Sequence, residues 1–471
     1  MIDMLRVFPL VPVVTLLLGF ASASAGQTTA QGQSPFLGSV PAGEATNKTL
    51  PVSLEDAFGR ALRYNLGVIE SDQNTRAAHA VRLRNLSALL PDVSASVSGT
   101  REQINLKAEG FNVSLPGISI PTIVGPFSVA DARVSLSQQI FNWSDIQGSR
   151  SAAQAERASR YAYRSDRDLV VFTTSRAYLA VISDHATVDS TRAQLTTARA
   201  LHDRAVDRNK TGVIAAIDVL RARVQLQTQQ QRLIAAENQL AIDKLMLARI
   251  IGLPKGQQFQ VTDAVPFAPL DGIRLDAALE RAYATRPDFL AARAQVRAAE
   301  LARQSAAAAN YPSLSTDANY GDIGSPNFGT SHGTFSVALT LSVPIFQGTR
   351  VRANTLQADA AFEQKKAELA DLDGRIDEQV RTALLNLTSS SNLVSVAQSN
   401  VDLAGQALEQ ARDRFSAGVA DNLEVVQAQE SVAAASQSYI ATLYAYNVAK
   451  VSLAQAIGIA EQSALQYLGV R

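Results

Sequence analysis

One turn occurs twice in this chain. Arg208–Leu220 reads RNKTGVIAAIDVL and Arg414–Val426 reads RFSAGVADNLEVV, so Gly212 matches Gly418, Val213 matches Val419 and Asp218 matches Glu424. The echo runs upstream as well. Pro91 matches Pro312 at an offset of 221 residues, which also carries Leu54, Ala57 and Ala61 onto Leu275, Ala278 and Ala282. LSQQIF at 136–141 matches LSVPIF at 341–346 at an offset of 205, and the Ile-Gly pairs at 251–252 and 457–458 agree at 206. The offset falls between the Pro and Phe landmarks, so the first copy carries a longer loop, about Asn105–Pro126. A repeat this long is a duplicated unit and not a solenoid array. Any fold for the chain must be built twice.

Within each copy the hydrophobic period switches between two and helical. Val93, Ala95 and Val97 alternate with serines, and Ala132, Val134 and Leu136 alternate with Arg133 and Ser135. Leu314, Ala318 and Tyr320, then Phe335, Val337, Leu339 and Leu341, repeat the pattern in the second copy. Four strands are predicted, at about 92–105, 127–141, 313–322 and 334–345, each with one apolar and one polar face. About ten residues suit a tilted strand crossing a bilayer. Pro91 and Pro312 open the strands, and Phe141 and Phe346 close them, at the helix–strand junctions. Trp143, the only Trp, stands where strand gives way to helix, as an interfacial anchor would.

The remainder reads as helix. Residues 144–208 and 348–414 contain no Pro, and roughly 65 residues of helix make a rod of about 100 Å. In the second rod Val380, Leu387, Val394, Val401, Leu408 and Phe415 step by seven, with Ala383, Ser390, Ala397, Ala404 and Ala411 three positions behind. That stripe predicts a left-handed coiled coil. Two shorter helices, about 66–90 and 213–251, together match one rod in length and are expected to stack end to end beside it. The expected organisation is a first repeat at 51–252 and a second at 274–458, with hairpin tips at 212 and 418. A linker at 253–273 and a tail at 459–471 would gather as an equatorial collar at the break between the short helices.

Arg6, the apolar run Val7–Phe20 and Ala23-Ser24-Ala25 form an export signal over residues 1–25, followed by a flexible segment at 26–50. No later stretch reaches the ~18 apolar residues of a spanning helix. Cysteine is absent, which removes disulfides, thiolate metal sites and a lipid-bearing Cys. Acidic and basic residues balance at 43 each, so no global field attracts nucleic acid. His79, His185, His202 and His332 lack metal-ligand spacing, and DLDGRID at 371–377 places its Gly wrongly for a calcium loop. Neither G-x-S-x-G nor a phosphate-binding Gly loop occurs, so no enzyme is expected. Four strands cannot close a barrel, and open edges in lipid cost several kcal/mol per unpaired group. The chain is therefore expected to oligomerise, two copies giving eight strands and three giving twelve.

With its tandem halves, PIFQGTRVRA at 344–353 and AGVADNLEVVQAQ at 417–429, the chain resembles the TolC-type outer-membrane efflux protein family over nearly its whole mature length. The resemblance implies an α plus transmembrane β fold: a trimeric 12-stranded β-barrel in the outer membrane on a periplasmic α-helical barrel. It implies a passive exit duct for small molecules (drugs, metabolites, metals) or secreted proteins, and no cofactor is expected. Its partners would be two further copies of itself, outer-membrane lipid, a periplasmic adaptor (a membrane fusion protein) and an inner-membrane pump of RND, ABC or MFS type. Asp218 and Glu424 would line the periplasmic aperture, and Gly212, Val213, Gly418 and Val419 would form the tips where the adaptor docks. The sequence departs from the family pattern at Thr349, where a second Gly is common, and at Ala420 and Gln427 in the tip. The alternative is a periplasmic coiled-coil structural or adaptor protein, which would have no lipid-facing strands.

Overall fold

A computed structural model describes residues 34–110, 121–270, 272–326, 329–417, 419 and 422–470. The first repeat runs β1 (Leu50–Val52), α1 (Leu54–Tyr64), α2 (Leu66–Ser87), β2 (Asp92–Asn105), β3 (Ile123–Phe141), α3 (Trp143–Lys210) and α4 (Ala216–Ile250). Then come β4 (Phe259–Val261), α5 (Leu275–Thr285), α6 (Pro287–Ala307), β5 (Ser313–Gly324), β6 (Ser331–Ser342), α7 (Arg350–Ser416), α8 (Asn422–Ile457) and α9 (Ala460–Leu468). Local chemistry explains the starts. Ser53 and Asp56 form a reciprocal capping box on α1, Asn142 caps α3, and Pro287 sits in the first turn of α6, where its missing N–H costs nothing.

The four long strands form one antiparallel sheet in the order β2-β3-β5-β6, so the two repeats meet at the central β3–β5 pair. Register aligns the apolar positions across all four strands. Val93 lies opposite Leu136, Leu136 opposite Ala318 and Ala318 opposite Val337, while the row Ala95, Val134, Tyr320 and Phe335 runs beside it. Ser94, Ser135, Asn319 and Ser336 occupy the other face. Directly opposed residues share a face, so the sheet has one apolar and one polar side. The edge strands β2 and β6 are exposed on both faces, with Val97 at 77% and Phe335 at 78%. Among the described residues no other element covers them.

Each strand continues into a helix, and the helices keep the strand order: α2 packs on α3, α3 on α6 and α6 on α7. Farther from the sheet α4 packs on α3, α3 on α8 and α8 on α7. The long helices α3 and α7 have 68 and 67 residues, about 100 Å each. The buried face of α7 contains Val380, Ala383, Leu387, Ser390, Val394, Ala397, Ala411 and Phe415, all positions of the seven-residue stripe. DLDGRID lies inside α7, where Asp371 and Asp377 pair with Arg375 and Arg381 on the exposed surface.

The short helices meet end to end, as their lengths require. At one junction the Asn65 side chain donates to the Ile250 carbonyl (3.5 Å) and Arg60 to the Gly252 carbonyl (2.7 Å). At the equivalent junction Arg286 donates to the Ala456 carbonyl at 3.0 Å, beside Gly458. The main core sits at this level and includes Leu54, Tyr178, Leu247, Ile250, Leu453, Ile457 and Leu468. Within it, the Tyr178 hydroxyl donates to the Val52 carbonyl and to Asp263, each at 2.9 Å.

Three expectations meet a different structure. The segment 26–50 was expected to be flexible, but from Pro35 onward it is anchored. The Phe36 carbonyl accepts from Asn65, the Thr46 amide donates to Gln257 at 2.7 Å, and β1 pairs in parallel with β4 of the linker. These are individual polar contacts with no periodic signature. The last strand stops at Ser342 and not at 345, because Pro344 has no amide to pair, and α7 starts at Arg350 after Gly348 takes a φ of +60°. Finally, β3 begins at Ile123, earlier than 127. The signal segment and the middle of the first-copy loop (residues 111–120) lie outside the described residues.

Candidate functional site

The two hairpin tips share two backbone hydrogen bonds at equivalent positions. In the first, the Thr211 amide donates to the Asp207 carbonyl (3.2 Å) and Val213 to Arg208 (2.9 Å), with Gly212 between them at φ +74°. In the second, Ala417 donates to Asp413 and Val419 to Arg414, both at 2.9 Å. These bonds satisfy the orphan carbonyls of the ending helix, and a left-handed residue is needed at the bend. Gly418 itself lies outside the described residues. Val213 and Val419 are exposed at 64% and 72%, so both tips end in apolar side chains open to solvent.

Asp218 and Glu424 lie in the first turns of α4 and α8, where a carboxylate is favoured by the helix dipole. Each faces an arginine of its own hairpin: Arg221 stands 3.2 Å from Asp218, and Arg414 stands 3.2 Å from Glu424. Asp218 is the less exposed of the two, at 16% against 42%. Asp421, three residues before Glu424 in the sequence, lies outside the described residues.

The tips are joined by residues that sequence reasoning did not single out. Arg208 crosses from α3 to donate to the Phe415 and Ser416 carbonyls at 3.1 and 3.3 Å, and its guanidinium stacks 4.7 Å from the Phe415 ring. It thereby caps the end of the other hairpin. Behind it Leu201, Ala411, Phe415 and Val425 form a second small core. One level up, Glu430 of α8 accepts from Gln225, Gln229 and Arg232 of α4 at 2.5, 3.3 and 2.9 Å. Burial pushes its pKa up, but the hydrogen bonds from Gln225 and Arg232 and the charge of Arg232 outweigh that and hold it below the ordinary carboxylate value. The only available signal was the paired Arg208 and Arg414. Their divergence, one reaching across and one pairing locally, is a three-dimensional fact.

Between the starts of α4 and α8 runs an open groove of about 350 Å³, lined by Ile217, Leu220, Val224, Leu423 and Val426. At the opposite end of the rods are the junction residues. Pro91 and Pro312 immediately precede β2 and β5, Phe141 ends β3, and Phe346 lies beyond β6 at 89% exposure. Trp143 is the first residue of α3 and stacks on Phe141 at 6.5 Å. Among the described residues no helix is long and apolar enough to cross a membrane.

The chain matches the family model for outer membrane efflux proteins in two blocks, residues 59–253 and 278–459, one per repeat. It is 25% identical over 416 residues to the toluene efflux pump outer membrane protein TtgF of Pseudomonas putida, covering 86% of this chain and 83% of that one. It is 24% identical to the outer membrane protein TolC of Vibrio cholerae, over 79% of this chain and 86% of the relative. Among solved structures, the Campylobacter jejuni CmeC outer membrane channel shares its fold with a TM-score of 0.75 at 18% identity, covering 91% and 92% of the two chains. The duplicated helices, the two-faced sheet and these matches lead to one conclusion: the chain belongs to the outer membrane efflux protein family.

Proposed function

We propose that three copies assemble side by side, so that twelve strands close a barrel in the outer membrane and the helices continue it as a periplasmic tunnel. The observation that carries this reading is the sheet register. It gathers Val93, Leu136, Tyr320, Phe335 and Val337 on one face while leaving β2 and β6 as open edges. In lipid those edges must pair with another chain. Joining β6 of one copy to β2 of the next is the cyclic solution. Exposed apolar residues on the outermost lower helices support the same lateral contact: Ile234, Ile242 and Leu245 on α4, and Leu385, Leu393, Val396 and Leu403 on α7.

In this assembly the chain is the passive exit duct of an export system that moves small molecules or secreted proteins. The apolar tip groove, together with Val213 and Val419, takes a helical periplasmic adaptor, which links the duct to an inner-membrane pump. Asp218 and Glu424 line the narrowest periplasmic aperture, two carboxylates per chain and hence six in three chains. Arg221 and Arg414 offset part of that charge.

The test is ion selectivity in planar bilayers. Asp218→Asn with Glu424→Gln keeps side-chain size but leaves both arginines without their acids. The wild-type preference for cations should be lost or reversed, and block by divalent cations from the periplasmic side should weaken. Asp218→Asn alone should do more than Glu424→Gln, because Asp218 is less solvated and its charge is less screened. Unchanged selectivity and block in the double variant would place both acids away from the constriction.

A further inference from the structure

The seam between α3 and α6 carries arginines that the duct reading does not use. Their position on the wall follows from the sheet. The β3–β5 register shifts between Gln139 and Phe141, which sets Phe141 opposite Leu314, and Leu314 opposite Leu341. Phe141 thus joins the apolar, outward face. Trp143 stacks on Phe141, and the Arg150 guanidinium lies 5.8 Å from the Trp143 ring. Arg150 is therefore on the outer side of the wall. Arg157 and Arg164 follow at steps of seven residues, roughly 10.5 Å apart along the helix. Such steps drift only ~20° around it, so the three form a column.

The facing helix adds to the column. Ser144 donates to the Ser305 carbonyl and Ser151 to the Ala298 carbonyl, at 2.9 and 2.7 Å, so α6 runs antiparallel to α3 and brings Arg293 and Arg297 level with Arg157. Arg157, Tyr161, Arg293, Arg297, Gln154 and Leu290 line an open cleft of about 260 Å³. Tyr161 is held between Arg157 and Arg164, each 5.7 Å from its ring. Arg297 pairs with Glu300 at 2.5 Å, but among the described residues Arg150, Arg157, Arg164 and Arg293 have no carboxylate within ion-pair distance. The nearby Glu156 is turned to the other side of α3, where His79, Arg82 and Arg160 hold it.

We propose that this seam is a docking track for a carboxylate-rich peptide segment of a periplasmic partner. Guanidinium groups present paired donors that match carboxylates, and unpaired cations in a shared cleft concentrate such a ligand. The geometry selects a linear occupant. Arg150 to Arg164 spans about 21 Å along the wall, whereas a lipid headgroup layer is only ~5–7 Å deep. A bilayer would reach Arg150 and leave the cleft empty. An extended chain of about seven residues covers the whole column. The seam also lies between the two middle helices of the α2-α3-α6-α7 order, so closure at the outer helices leaves it open. Its outward direction rests on the reading of the apolar sheet face as lipid-facing.

The experiment uses the full mature chain in neutral detergent and a fluorescent hepta-glutamate peptide, read by anisotropy at low and moderate salt. Binding should be salt-sensitive and should weaken roughly tenfold or more in Arg157→Gln with Arg293→Gln. The Arg157→Lys, Arg293→Lys pair should recover part of the loss, since it keeps charge without the fork. Arg76→Gln on α2, whose arginine is 73% exposed and paired with Asp72, should change nothing. No peptide binding, or equal binding by the Gln pair, would overturn the proposal. So would displacement of the peptide by inorganic phosphate at equal charge, which marks a site for isolated anions. Selective loss of anionic-lipid vesicle binding in the Gln pair, without peptide binding, would assign the track to headgroups instead. Conductance measured on the same samples keeps any of these results separate from the duct reading.

Discussion

Replacing Val337 by Arg should nearly abolish accumulation of the assembled protein in the outer membrane, while Ser336→Arg should leave it close to normal. The two residues are neighbours on β6 and both are exposed in the single chain, so exposure does not separate them. Register does. Val337 lies opposite Ala318 on the apolar face, and Ser336 lies opposite Asn319 on the polar face. An Arg near the midplane of a barrel's lipid face costs ~2–4 kcal/mol, and lumen-facing substitutions are tolerated. In a closed assembly every copy bears that cost, so a fall of roughly tenfold or more is expected. Quantifying heat-resistant oligomer in purified outer membranes checks it. Equal tolerance of both substitutions would mean that the apolar face does not meet lipid.

Gly458→Ala should destabilise the molecule far more than its size suggests. Gly458 has a φ of +79°, and a Cβ there would stand 2.7 Å from the Arg286 Cα, where two short helices abut. Backbone strain alone costs on the order of 1–3 kcal/mol, and the contact is with main chain that cannot rotate away. Gly252 is the same joint in the first repeat, 2.7 Å from the Tyr64 Cβ. By contrast Gly374→Ala, within α7 and with nothing within 4 Å, should be neutral or slightly stabilising. Thermal unfolding of Gly458→Ala, Gly252→Ala and Gly374→Ala in one detergent gives the order, the two joint variants lowest. A Gly458→Ala protein as stable as the parent would show that the joint is not tightly packed.

These contrasts indicate why some of the molecule was legible in its sequence. The strands could be read because their two faces meet different surroundings, which imposes a period of two on residues such as Val93, Ala95 and Val97. The stripe from Val380 to Phe415 could be read because a long helix packed along one side must repeat its buried positions. Segments held by single contacts leave no period. Thr46 on Gln257 and Asn65 on Phe36 anchor a stretch that reads as a flexible leader. The candidate site divides in the same way. Asp218 and Glu424 stand out because the duplication repeats them. Arg208 and the arginines of the α3–α6 seam do not, because a charge on a helix looks alike whether it faces solvent, a neighbour's carbonyls or a ligand track.

The measurement closest to the central claim is the native mass of the mature chain in detergent, corrected for bound micelle, on material that conducts ions in a bilayer. Twelve strands in a closed wall require a mass of three chains. A stable monomer or dimer that still conducts would contradict it, because four or eight strands cannot enclose the lumen that the duct needs.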